Sequence, residues 1–153
     1  MDLGALYEEV ILDHNRSPRN WGEIPGARHI EGRNPLCGDK ISLDVMVDGD
    51  VVTDIKFTGE GCAISKASAS MMTQAIKGKT RDEAERMYEG FHDLVTGKAA
   101  GTTPDKSLGS LRAFAGVARF PTRVKCATMA WHALKEAISM QRAASNDPVR
   151  DKQ

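Results

Sequence analysis

Residues 41–57 read ISLDVMVDGDVVTDIKF, and this stretch decides the fold around which the rest of the chain has to be arranged. Its apolar residues alternate with polar ones on both sides of Asp48-Gly49-Asp50, a sequence that is typical of a tight turn. Alternation with a period of two places one face of each strand against a core. The stretch therefore predicts an antiparallel hairpin with one buried face.

Helical patterns lie on both sides of this hairpin. Apolar residues at helical spacing predict helices over about residues 3–14, 63–77, 80–97 and 125–143. Thr80 and Glu83 have the spacing of a capping box at the start of the third helix. Weaker patterns predict an extended segment near 27–32 and a short apolar segment near 108–117. We expect an α+β fold in which helices pack on one face of a small three-stranded antiparallel sheet.

Length and composition narrow the class of protein. A chain of 153 residues fits one domain, which we assign to residues 1–145, followed by a polar tail over 146–153. The 21 basic and 21 acidic residues balance, so we expect neither a nucleic-acid nor a membrane partner. The chain has no apolar run of the ~18 residues that a membrane span requires and no signal-peptide pattern at its start. With its odd number of cysteines, these features predict a cytoplasmic protein.

The three cysteines of the chain each lie in a setting that suits a metal ligand. Cys37 precedes Asp39 by two residues, and such a pair points the same way in an extended segment. Cys62 and Cys126 are each expected to open a helix, where unpaired backbone amides and the helix dipole favour a thiolate. Three thiolates and one carboxylate fill the tetrahedral shell of a zinc ion.

A structural role for the same cysteines has to be weighed, because free cysteine is among the most buried residue types and often fills core space. The spacing between the three matches no compact zinc finger or knuckle, so the fold would have to assemble any shared site. What favours a shared site is that each cysteine lies at the end of an element, near Gly or Pro, rather than within an apolar stripe.

Other polar and aromatic residues have weaker patterns. His14 is expected to cap a helix end, and the remaining histidines lie away from the cysteine motifs. Arg123 and Lys125 precede Cys126 and can offset the charge of the site or steer a partner. Trp21 and Phe120 adjoin loops and are candidates for a docking surface, although a structural role is the simpler interpretation.

Four strings of residues resemble the IscU/NifU-like family of iron–sulfur cluster assembly proteins, and the resemblance extends over almost the whole chain. They lie at 7–20, at 34–39 (NPLCGD), at 59–72 (GEGCAIS, then ASASMM after one residue) and at 120–127 (FPTRVKCA). Lys125 stands where the classical scaffold has a histidine before its third cysteine, and an extra stretch lies near 97–116. Both departures resemble the SufU-type branch, the zinc-dependent sulfurtransferases.

The resemblance implies a fold, a metal site and a reaction. It implies an IscU/SufU-like fold in which Cys37, Asp39, Cys62 and Cys126 bind zinc. It also implies that Cys37 is the catalytic residue, accepting persulfide sulfur from a SufS-type cysteine desulfurase and passing it to a SufB-type scaffold. We hypothesise that Cys37 is the ligand that leaves the metal. Two alternatives stay open: a scaffold that assembles a [2Fe–2S] cluster on the same residues, and an interaction domain whose zinc is purely structural.

Overall fold

The computed structural model describes the backbone of residues 3–34, 38–98 and 106–146, and the side chains of 9–34, 38–98 and 108–139. Its elements, in chain order, are α1 (Leu3–Arg16), β1 (Arg28–Asn34), β2 (Asp39–Asp48), β3 (Val51–Glu60), α2 (Ala63–Ile76), α3 (Arg81–Thr96), a 3₁₀ segment (Lys106–Arg119) and α4 (Pro121–Asn146). Cys37 lies outside the described residues, as do residues 147–153 of the predicted tail.

The three strands form one antiparallel sheet in the order β1-β2-β3. Asn34 faces Asp39 where β1 passes into β2, and Asp48 faces Val51 across the next turn. Gly49 has a φ of 63°, a value that L side chains rarely adopt, so the Asp-Gly turn uses the freedom of its glycine. The hairpin that the alternating pattern predicts over residues 41–57 is confirmed.

The helices cover one face of this sheet. Five of the strand residues that face them are at most 2% exposed: Ile41, Leu43, Val45, Ile55 and Phe57. Helix α4 packs on β1 and β2, and α2 packs on β3 and on α4. Alternate strand positions supply this apolar face, as expected for a sheet that is covered on one side. The predicted α+β fold is confirmed.

Helix α3 begins with the predicted capping box. The Glu83 amide donates to the Thr80 hydroxyl at 3.1 Å, and the Thr80 amide donates to the Glu83 carboxylate at 3.0 Å. Hydrogen bonds from the Thr80 amide and the Thr80 hydroxyl to the Glu83 carboxylate lower the pKa of that carboxyl. Gly97 ends the helix with a φ of 86°, which is the left-handed conformation common after a helix C-terminus.

Helix α4 begins at Pro121, one turn before the predicted start at residue 125. Proline suits the first position of a helix, because its φ is preset and its missing N–H would have no partner within the helix. The earlier start places Cys126 in the second turn, so the prediction that this cysteine opens the helix was wrong. The apolar segment near 108–117 is a 3₁₀ segment interrupted at Gly109, which has a φ of 55°.

A search of the described helices for a membrane span found none that combines the necessary length and apolar character.

Candidate metal centre

Asp39, Cys62 and Cys126 come together at one end of the sheet. One carboxylate oxygen and the two sulfur atoms all lie within 4.8 Å of one another. Each residue comes from a different element: Asp39 begins β2, Cys62 is the N-cap of α2, and Cys126 lies in α4. The fold thus brings together three of the four residues predicted as ligands, while Cys37 lies outside the described residues.

The Asp39 carboxylate is buried against the start of α2, where it is 3% exposed. One of its oxygens accepts a hydrogen bond from the Cys62 amide at 3.0 Å, and the other lies 3.4 Å from the Cys62 sulfur. A carboxylate loses hydration when it is buried, so it needs such donors or a cation close by. The amide of Cys62 therefore holds the Asp39 carboxylate beside the Cys62 sulfur.

Gly61 makes room for this carboxylate. Its φ is 145°, and a Cβ added there would lie 2.6 Å from the carboxylate carbon of Asp39. Protein side chains do not approach each other so closely, and L residues rarely adopt this φ. Only glycine at this position lets Asp39 reach its place against Cys62.

Cys126 approaches from α4 and is buried, whereas Cys62 is accessible to solvent. The side-chain amide nitrogen of Asn34 lies 4.0 Å from the Cys126 sulfur, a weak N–H···S contact. Asn34 is itself buried and is the cross-strand partner of Asp39. The sequence pattern gave Asn34 no role of its own, and the NPLCGD string that contains it was the only signal.

His14 bonds to another helix instead of capping its own. Its Nδ1 lies 2.7 Å from the Ser70 hydroxyl on α2, and the same hydroxyl accepts the Arg19 amide at 2.8 Å. Because Ser70 Oγ accepts from Arg19, its hydrogen is available to a neutral His14. Burial, followed by the charge of Arg19, lowers the pKa of His14.

Each thiol-bearing helix has an exposed aromatic ring and a basic side chain near its start. The Trp21 ring is 45% exposed, with Lys66 Nζ 5.7 Å from its centroid. The Phe120 ring is 50% exposed, with the Arg123 guanidinium 5.2 Å from its centroid. Lys66 and Arg123 both lie in the first turn of their helices. We call these four residues the aromatic–basic surface.

The donor atoms fit a zinc ion. Bonds of about 2.0–2.3 Å around a tetrahedral zinc place neighbouring ligand atoms about 3.3–3.8 Å apart. The atoms of Asp39, Cys62 and Cys126 are within 4.8 Å of one another, so small side-chain rotations suffice. Two sulfurs and a carboxylate also form a donor set that zinc accepts in proteins, and a fourth ligand completes the shell.

Comparison with known proteins places the chain among iron–sulfur cluster assembly proteins. Residues 6–127 match the NifU-like N-terminal domain family. The chain is 47% identical over 140 residues to the zinc-dependent sulfurtransferase SufU of Bacillus subtilis, covering 92% of this chain and 94% of that protein. It is 44% identical over 149 residues to the iron–sulfur cluster assembly scaffold protein IscU of Streptococcus pyogenes, covering 97% and 91%.

A solved structure shares both the sequence and the fold. It is that of a proposed iron–sulfur cluster assembly scaffold protein for the SUF system (FiSufU) of Fervidobacterium islandicum. The TM-score is 0.79 at 36% identity, and the match covers 88% of this chain and 97% of that one. The chain therefore belongs to the NifU-like N-terminal domain family, within the IscU/NifU-like proteins of iron–sulfur cluster assembly.

Proposed function

We propose that this chain is a zinc-dependent sulfur carrier, a sulfurtransferase of iron–sulfur cluster assembly. The observation that carries the proposal is the convergence of Asp39, Cys62 and Cys126, whose ligand atoms lie within 4.8 Å of one another. The 47% identity to a protein named as a zinc-dependent sulfurtransferase supports it. Cys37 is separated from Asp39 by Gly38 alone in the sequence, and the proposal takes Cys37 as the fourth ligand.

Each residue has its own part in this proposal. Cys37, Asp39, Cys62 and Cys126 hold the zinc, which keeps the three sulfurs as thiolates near neutral pH. Asp39 also receives the Cys62 amide, so it fixes the start of α2 as well as contributing an oxygen. Cys126 is buried and so is shielded from an incoming persulfide, whereas Cys62 is accessible to solvent.

The transfer step is balanced without an oxidant or a reductant. The Cys37 thiolate attacks the terminal sulfur of a cysteine persulfide on the donor protein. The sulfur–sulfur bond of the donor breaks as a new one forms on Cys37, and the donor cysteine leaves as a thiolate. The terminal sulfur keeps its proton during the transfer, so Cys37 becomes a cysteine persulfide. Cys37 then carries the persulfide to an acceptor, where the same exchange occurs in reverse roles.

The proposed partners are a SufS-type cysteine desulfurase as donor and a SufB-type scaffold as acceptor. The aromatic–basic surface supports contact with a protein, because exposed aromatic rings and arginine are enriched at interfaces. Lys125 is exposed beside the same start of α4. An acidic partner surface with an apolar patch fits these side chains.

The alternative function is a scaffold on which a [2Fe–2S] cluster is assembled. Its support is the 44% identity to a protein named as a scaffold, together with cysteine ligands that suit iron–sulfur clusters. Lys125 before Cys126, where the classical scaffold has histidine, favours the sulfur carrier.

The test is sulfur transfer from a desulfurase to the purified protein, followed by mass spectrometry of the intact chain and its peptides. We expect zinc in the purified protein and a persulfide on Cys37. Cys37→Ser should accept no sulfur, because it lacks the acceptor thiol while it keeps Asp39, Cys62 and Cys126. Sulfur transfer by Cys37→Ser at the wild-type rate contradicts the proposal. A brown protein that contains iron and labile sulfide supports the scaffold instead.

A further inference from the structure

A buried hydroxyl behind the metal centre joins the two helices that carry the thiols. Ser68 on α2 is 0% exposed. Its hydroxyl donates to the carbonyl of Ala127 on α4 at 2.6 Å. The same oxygen accepts the indole N–H of Trp131 at 3.2 Å. These three residues, which we call the serine relay, form a continuous hydrogen-bonded path between α2 and α4.

The relay lies close to both sulfur ligands along the chain. Ala127 directly follows Cys126, so its peptide unit moves with that cysteine. Ser68 lies less than two turns after Cys62 in a continuous helix. A shift of α4 along α2 would therefore stretch the Ser68–Ala127 hydrogen bond and change the distance between the two sulfurs.

Trp131 determines where the Ser68 hydrogen points. A serine hydroxyl has one hydrogen, and an indole N–H can only donate. When Ser68 accepts from Trp131, its own hydrogen is left for the carbonyl of Ala127. Trp131 is completely buried and stacks on Phe91 with a centroid distance of 4.7 Å and an interplanar angle of 15°. Close packing of this kind leaves the ring no room to turn away.

The relay does more than satisfy a buried polar group. In a regular α-helix, the carbonyl of Ala127 already accepts the amide of residue 131, so it does not need a second donor. The bond from Ser68 adds a connection between two elements that both supply ligands. Preorganised supports of this kind determine how closely a metal site matches the geometry that its ion requires.

We propose that Ser68 and Trp131 are positioning residues of the metal centre, which fix α4 relative to α2 and so set the spacing of the Cys62 and Cys126 sulfurs. This inference rests on the proposed function for the identity of the ion. Neither residue touches the metal in this proposal, because both act through the position of α4. The measurable consequence is the affinity and the coordination geometry of the site.

Ser70 provides a matched control. It lies on the same helix, is also 0% exposed, and accepts the Arg19 amide at 2.8 Å. Its other partner is His14 on α1, so its bonds connect α2 to α1 and to the segment that follows α1, and not to α4. Ser68→Ala and Ser70→Ala therefore each delete one buried hydroxyl from α2, but only Ser68→Ala removes a hydrogen bond to α4.

The experiment compares zinc affinity, measured by competition with a chromophoric chelator, in the wild type and in the two serine variants. We expect Ser68→Ala to bind zinc about tenfold more weakly. Ser70→Ala should keep the wild-type affinity while losing stability to urea in the metal-free state. The cobalt(II)-substituted protein should show altered ligand-field bands in Ser68→Ala alone. Equal zinc affinities and identical cobalt spectra for Ser68→Ala and Ser70→Ala would overturn the proposal.

Trp131→Phe tests the relay without removing the hydroxyl, and it keeps an aromatic ring against Phe91. We expect it to weaken zinc binding less than Ser68→Ala, since Ser68 can still reach Ala127. If Ser68→Ala does not fold, unchanged zinc affinity and an unchanged cobalt spectrum in Trp131→Phe overturn the proposal. If the wild type accepts no sulfur but Ser68→Ala still binds zinc more weakly than Ser70→Ala, the proposed function is overturned and the positioning role of the serine relay stands.

Discussion

The two thiol-bearing helices reach the candidate metal centre in different ways. Helix α2 presents Cys62 from its N-cap, in a solvent-accessible position, and uses the Cys62 amide to hold Asp39. Helix α4 presents Cys126 from its second turn, where the residue is buried and the backbone amides are already bonded within the helix. The sequence predicts that both cysteines open a helix, yet the candidate site has an open side at α2 and a closed side at α4.

The two sides differ in what fixes the position of the candidate ligand side chains. On the open side, position depends on backbone conformation, because Gly61 and the Cys62 amide determine where Asp39 lies. On the closed side, position depends on packing, because Cys126 is enclosed by α4 and its neighbours. We expect substitutions on the open side to act through local geometry, and those on the closed side to act through helix placement.

The largest effect is expected for Gly61→Ala, which tests the open side. The new Cβ would lie 2.6 Å from the carboxylate carbon of Asp39, so the carboxylate has to leave its place beside Cys62. We expect the zinc affinity to fall by about a hundredfold, since the ligand and its amide contact are lost together. Zinc competition with a chelator measures this change.

Gly26→Ala is the matched control for that substitution. Gly26 also has a positive φ, of 82°, but nothing lies within 4 Å of an added Cβ. Both variants therefore carry backbone strain of about 1–3 kcal/mol, and only Gly61→Ala moves Asp39. Comparable zinc affinities in the two variants would show that the open side does not depend on this close approach.

A smaller effect is expected for Asn34→Ala on the closed side. The Asn34 amide lies 4.0 Å from the Cys126 sulfur, so its removal deletes this weak N–H···S contact, while the packing of α4 on the sheet is kept. We expect the zinc affinity to fall by about two- to fivefold, which is below the range for loss of a direct ligand support. Asn15→Ala on α1 is the control and should bind zinc as the wild type does. A loss as large as that of Gly61→Ala would remove the distinction between the two sides.

The smallest effect concerns the side of α2 that faces α1, where His14 bonds Ser70. Burial lowers the pKa of His14 below 6.5, so as the pH falls the unfolded chain binds this proton first. The contribution of His14 to stability is therefore complete above about pH 6.5 and is lost as the pH falls below that value. His14→Asn keeps an acceptor for Ser70 but cannot titrate in this range.

Urea unfolding of the metal-free protein at about pH 7.5 and about pH 5.5 measures this difference. We expect the wild type to lose more stability on acidification than His14→Asn does. His29 shifts in the opposite direction, because its hydrogen bond to Asp44 raises its pKa, but both proteins share that contribution. An equal loss in the two proteins would show that His14 does not titrate as its burial indicates.

The parts of the fold that could be predicted have local signals. The alternating pattern with its Asp-Gly turn specifies a hairpin, and Thr80 with Glu83 specifies a helix start, within a few residues of sequence. The start of α4 has a local signal too, because Pro121 suits the first helical position. The predicted start at residue 125 did not use this signal.

The parts of the site that could not be predicted depend on partners distant in sequence. Ser68 lies in a run of alanine, serine and methionine that any packed helix could contain, and its partners Ala127 and Trp131 belong to the last helix. The contact between Asn34 and Cys126 likewise joins the sheet to α4. No periodicity encodes such pairs, because they arise only when packing brings the elements together.

The chain has two tryptophans, and their opposite exposure makes them separate optical reporters. Trp131 is 0% exposed beside Ser68, whereas Trp21 is 45% exposed beneath Lys66. A buried indole emits at shorter wavelength and is shielded from a dissolved quencher such as iodide, while an exposed one is accessible to it. In Trp131→Phe the remaining emission monitors partner contact at Trp21. In Trp21→Phe it monitors the core behind the metal centre, so fluorescence can follow docking and metal loading as two distinct events.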